Sequence, residues 1–138
     1  MTISAPKTNG KAGKIQYSQQ TIQRAERALF CAPFLLVLWV TMRGQSVALG
    51  AIAGQTGVEQ GYTRSPLLEI TAESQLGWLI KVGVLRREVD GQGITDSFRL
   101  TPLGRQIVDH WQSQGAFPKP TLGQRLLNAI ARWFTLSL

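Results

Sequence analysis

The side chains whose types and spacing could do chemistry are cationic and aromatic, and the chemistry they suit is binding. Arg86, Arg87 and Arg99 fall within fourteen residues, the first two adjacent and Arg99 between the apolar Phe98 and Leu100. Guanidinium groups so placed on a hairpin neutralise phosphate. The competing expectation is a solvated face in which the same arginines pair with Glu88 and Asp96. Near the C-terminus, Arg125 and Arg132 accompany Trp133 and Phe134 in a stretch, 121–138, that has no acidic residue. A cationic helix with an apolar side suits an acidic partner, a second copy of the chain, an anionic membrane surface, or docking on the body of its own domain. Trp78 is either an exposed anchor for a partner protein or a side chain covered by a terminal helix.

Residues for catalysis are sparse. His110 is the single histidine and Cys31 the single cysteine. Neither has a second ligand or base at a useful spacing. Cys31 lies in an apolar run and reads as a buried thiol. Gly91-Gln92-Gly93 is too short for a phosphate-cradling loop. Glu88 with Asp90, and Asp109, lack the setting that would argue for acid–base work. The sequence therefore points away from an enzyme and implies no metal and no cofactor.

The 138 residues carry a formal charge of +7, distributed unevenly. Residues 1–27 hold +4, 28–58 hold +1, 59–111 hold −1 and 112–138 hold +3. A basic total invites nucleic acid or an anionic membrane as partner, yet the excess sits at the two ends. The apolar run from Ala28 to Met42 contains Pro33 and stops at Arg43. It is short of the roughly 20 residues a membrane span needs, so the expectation is a buried helix in a cytoplasmic protein. The lone cysteine asks for no oxidising compartment.

The elements that must position these residues follow from local signals. Residues 1–16 read as a basic tail, 17–114 as one domain, 115–120 as a linker and 121–138 as a C-terminal amphipathic helix. Ser18 caps a first helix that breaks near Pro33, because proline disfavours helical geometry at the residue before it. A second helix, from Pro33 to about Met42, is apolar nearly all round and must be covered on most sides, as the centre of the core or as part of a dimer seam. Gly44 closes it. Ser46 is a plausible cap for a short helix through Val47, Leu49 and Ile52, and Gly57 marks a turn. Val58 to Arg64 reads as loop, and Ser65-Pro66 as the start of a helix that runs to Lys81 or restarts at Thr71. In that helix Ala72, Leu76, Leu79 and Ile80 share one face, and Thr71, Ser74, Gln75, Trp78 and Lys81 the other. Val84 to Val89 and Ser97 to Leu100 are strands about the turn Asp90-Gly91-Gln92-Gly93. Thr101-Pro102 starts a further helix, and Thr121-x-x-Gln124 is a capping-box pattern. In the last helix Leu122, Leu126, Ile130, Trp133 and Phe134 lie on one side. Arg125, Asn128, Arg132 and Thr135 lie on the other.

The segment Leu76 to Trp111, LGWLIKVGVLRREVDGQGITDSFRLTPLGRQIVDHW, resembles the back half of winged helix-turn-helix domains of bacterial regulators. The matching positions are Leu79, Gly83, Val84, Leu85, Arg86, Gly91, Gly93, Phe98, Leu100, Thr101 and Gly104. The resemblance implies a mostly helical fold with a small β-hairpin, extended by extra N-terminal and C-terminal helices. It implies that Ser74, Gln75 and Lys81 face bases or phosphates in the major groove. Arg86, Arg87 and Gln92 would belong to the wing. The expected function is thus a DNA-binding transcriptional regulator, dimeric, helped by its basic tails. The chain departs from the pattern in its long loop before the third helix, in Glu73 and Trp78 on that helix, and in its neutral middle. The alternative is a winged-helix adaptor or assembly factor using Trp78 and the C-terminal helix. Attachment to a membrane surface is the least favoured of the three. The whole sequence also resembles a small set of uncharacterised cyanobacterial proteins.

Overall fold

In the computed structural model, residues 16–115 and 117–137 are described, 135–137 as backbone only. The tail expected over 1–16 lies almost wholly outside them. Helix α1 spans Gln19–Cys31 and α2 Leu36–Gly44. A two-residue strand β1, Val47–Ala48, leads into α3, Leu49–Ile52, and α4, Gly54–Glu59. Then come α5, Glu69–Lys81, the strands β2, Leu85–Asp90, and β3, Gly93–Leu100, then α6, Pro102–Ser113, and α7, Leu122–Ser137. The fold is mostly helical, with one small antiparallel sheet in the order β1-β3-β2.

Local chemistry accounts for several boundaries. The Ser18 hydroxyl accepts from the Thr21 N–H at 3.1 Å, satisfying one of the unpaired donors at a helix start. Ala32, ahead of Pro33, is extended, and α1 and α2 meet at a bend of 120°. Thr101 caps α6 through the Gly104 N–H at 3.1 Å, and its hydroxyl donates back to the Gly83 carbonyl. Gly83 has φ +90°, a conformation that costs an L side chain energy, so α5 can stop sharply and β2 begin. At the hairpin, the Asp90 carboxylate accepts the Gln92 N–H at 2.7 Å. A bulge follows at Thr95–Ser97, where the Thr95 hydroxyl donates to the Glu88 carbonyl and accepts from Ser97.

Other expectations are corrected. The second helix begins at Leu36, after an extended Leu35 whose N–H donates to the Tyr62 carbonyl at 2.8 Å. Ser46 caps nothing: Val47 and Ala48 pair with Phe98 and Ser97 of β3, and Ala48 flanks α3 with no side-chain cap. Gly57 sits inside α4 and marks no turn. No helix starts at Ser65-Pro66. The Leu67 carbonyl accepts from the Gly54 N–H at 2.7 Å, which holds that stretch extended, and α5 begins at Glu69.

The core lies where α1, α2, α5 and α6 meet the sheet. Trp39, Leu38 and Met42 of α2 are fully buried with Phe98, Leu100, Leu76, Leu79 and Ile52. One side of α2 is thus central to the core, whereas Val37 on another side is 51% exposed, so the helix is not covered all round. Its partner α6 is tied to it through Arg43, which reaches Asp109 at 2.9 Å and Gln112 at 3.0 Å. Trp111 of α6 donates to Glu26 of α1 at 3.0 Å, and Phe30, Trp111 and Phe117 stack around that seam. No single helix among the described residues is long and apolar enough to cross a membrane. The bent α1–α2 pair reaches the required length and composition only together, and its apolar side chains Leu29, Leu38, Trp39 and Met42 face the interior.

Candidate interaction surface

Helix α7 is set up by the capping box read from the sequence. The Thr121 hydroxyl accepts from the Gln124 N–H at 3.0 Å, and the Gln124 side chain accepts from the Thr121 N–H at 3.0 Å. The helix then lies along α1 and reaches α5 through side chains, and it turns its polar side inward. Asn128 Oδ1 accepts from the Trp78 indole at 3.0 Å. Arg132 donates to Gln75 Oε1 at 3.1 Å, to Ser74 Oγ at 2.7 Å and to the Ser74 carbonyl at 3.3 Å. Gln124 offers its carbonyl to the Cys31 thiol at 3.9 Å.

The apolar side consequently faces out. Leu122 is 83% exposed, Leu126 60%, Trp133 69% and Phe134 63%, with Leu127 and Ile130 also exposed. Folded proteins seldom leave more than a few hundred Å² of contiguous apolar surface open unless it is used. This patch sits on a helix that touches its own body through an amide, a guanidinium, a backbone carbonyl and the small side chain of Ala131. Docking of that helix is among the arrangements expected from the sequence; that it docks by its polar side is new.

The remaining site residues fall as follows. Trp78 is buried at 4% exposure, covered by α7, so its indole already has a partner within the chain. Ser74 and Gln75 are engaged by Arg132, while Lys81 points to solvent. On the hairpin, Arg86 lies 3.9 Å from Glu88 and Arg99 lies 3.4 Å from the same carboxylate. Arg87 reaches Glu73 at 3.8 Å and Asp96 at 3.9 Å, and its guanidinium stacks over the Phe98 ring at 4.9 Å. Gln92 is exposed at the turn, and Arg125 is exposed on α7. The three hairpin arginines therefore each have a local carboxylate. Such exposed pairs contribute little to stability, but they lower the charge the hairpin shows to a phosphate. Sequence reasoning missed Asn128 and Gln124 as docking residues and Leu127 as part of the outward face. A helical projection that paired Asn128 with the indole of Trp78 was the available signal.

Cys31 lies at the α1–α7 seam, half-buried. Burial pushes its thiol pKa above the ordinary 9.0, partly offset by the nearby charges of Arg125 and Arg27. A thiol whose folded pKa is raised favours the folded state fully below that ordinary value. The contribution is lost as pH climbs past it. We therefore expect Cys31 to alkylate more slowly at pH 8 than a free cysteine peptide, by several-fold, because the thiolate is the nucleophile. Equal rates in a timed iodoacetamide reaction would contradict the placement of α7 over this site.

These features define a small helical domain with a β-hairpin and a docked terminal helix. The chain belongs to the Npun_F0494-like family, whose model matches residues 15–132. That span includes α1 through most of α7, so the docked helix is part of what the family describes. No curated protein and no solved structure matches the chain.

Proposed function

We propose that this chain is a winged-helix docking module, non-catalytic and cytoplasmic, that works by presenting the outer face of α7 to a partner. The winged-helix assignment draws support from the order α2, β1, α3–α4, α5, β2, β3 and from the sheet order β1-β3-β2. One observation carries the functional part: α7 is held by its polar side and leaves six large apolar side chains outward. Fold alone does not decide function, and the face of α5 that would read bases is partly occupied by Arg132 and Asn128.

The test compares affinity capture from cell extract by the full chain and by the double variant Leu126→Glu, Ile130→Glu. Both positions are exposed, so the fold should survive, as circular dichroism would verify. At least one bound component, protein or membrane, should be recovered with the full chain and lost with the variant. Identical recovery by the two would remove this reading.

DNA binding by a transcriptional regulator stands as a second reading, favoured by the exposure of Lys81 on α5 and of Arg86 and Gln92 on the hairpin. It predicts duplex retention that falls steeply with salt and weakens about tenfold on Lys81→Ala with Arg86→Ala. A filter-binding titration at two salt concentrations decides it. Retention that ignores both the substitutions and the salt would dismiss it.

A further inference from the structure

Two described stretches that carry cations, α1 and the segment from Lys119 through α7, lie against each other. Helix α1 packs against α7. Arg24 is exposed on α1, and Arg27 follows it one turn later. Arg27 and Arg125 are close enough that both charges reach the Cys31 thiol. Helix α7 runs antiparallel to α5, with Asn128 beside Trp78 and Arg132 beside Gln75. Arg125 is exposed on α7 and Lys81 is exposed at the end of α5. Lys119 lies exposed just before α7, and no carboxylate occurs from 112 to 138. The outward face of α7, Leu122, Leu126, Leu127, Ile130 and Phe134, has no charged residue in it.

We propose that this face seats on an anionic lipid bilayer, with α7 lying in the plane of the headgroups and the domain standing on its polar side. This deepens the docking reading above and rests on it. Charge selects the occupant. A second copy would bring an identical basic side against this one, and like charges facing each other disfavour the encounter. A lipid surface bearing negative headgroups attracts the same cations, each worth roughly a fivefold gain in affinity. The geometry fits an interfacial helix, with leucine and aromatic side chains on one face and arginine at its margin. At 16 residues, or about 24 Å, the helix is too short to cross the roughly 30 Å hydrocarbon core. It can lie along that core's surface.

The experiment is co-sedimentation of the full chain with phosphatidylcholine vesicles, with and without phosphatidylserine. Binding should appear with phosphatidylserine, fall with added salt, and fall at least tenfold in the folded variant Leu126→Glu, Ile130→Glu. Arg125→Ala should weaken it by several-fold. Absence of vesicle binding, while the capture experiment still recovers a protein partner or light scattering shows a dimer lost with the variant, would overturn the lipid proposal and leave the docking reading standing. Absence of all three would overturn both.

Discussion

Gly57→Ala and Gly104→Ala are each expected to destabilise the fold by about 3 kcal/mol, the upper end of the usual cost of overpacking a close-packed site. A Cβ at position 57 would sit 1.9 Å from the Ile52 carbonyl oxygen, and one at 104 would sit 2.4 Å from that of Val84. In both cases the obstacle is main chain, which cannot step aside without moving β2 or the α3–α4 junction. Gly77→Ala is the control. It lies in α5 with nothing within 4 Å of the added atom, so helix propensity should make it neutral to about 1 kcal/mol stabilising. Urea titration followed by tryptophan fluorescence separates the three. Near-equal midpoints for Gly57→Ala, Gly104→Ala and wild type would mean that the close approaches are not there.

The second large effect concerns the hold on α7. Arg132 makes three hydrogen bonds to Ser74 and Gln75, and Asn128 makes one to Trp78. A hydrogen bond contributes about 0.5–1.5 kcal/mol net, and one to a charged group about 1.5–3. Removing both side chains in Asn128→Ala with Arg132→Ala should therefore cost the docked state about 2–4 kcal/mol. The fraction of molecules with α7 released should rise at least tenfold. Cys31, covered by the same helix at the α1–α7 seam, reports its release through its alkylation rate. A rate unchanged from wild type would mean that the polar side of α7 is not what holds it.

What the sequence made legible was local. The caps at Ser18, Thr101 and Thr121 each depend on a side chain and an N–H three residues on, so spacing alone reveals them. The hairpin is equally local, because Asp90 closes its turn through the next-but-one N–H. β1 was illegible for the opposite reason. Two residues, Val47 and Ala48, become a strand only because Phe98 and Ser97, fifty residues on, offer their edge. The start of α5 was misread because Ser65-Pro66 has the right local chemistry for a helix start. The Leu67 carbonyl is nevertheless taken by Gly54 from across the fold.

The orientation of α7 lay furthest from sequence reasoning. Its amphipathic pattern is plain, and such patterns ordinarily turn the apolar side to the body. Here the body offers α7 a buried indole N–H needing an acceptor, and a serine and glutamine able to receive a guanidinium. Those demands on α5 are met only by Asn128 and Arg132, and meeting them leaves the leucines outside. The same contacts explain why Trp78, an attractive anchor in the sequence, is engaged within the chain.

The measurement that bears most directly on this arrangement is hydroxyl-radical footprinting of the dilute wild-type chain without lipid, read residue by residue by mass spectrometry. The account predicts heavy modification of Leu122, Leu126 and Phe134 together with protection of Trp78 close to that of Trp39. Protection of the three α7 side chains alongside ready modification of Trp78 would mean that the helix sits the other way round, and the docking surface proposed for it would not exist.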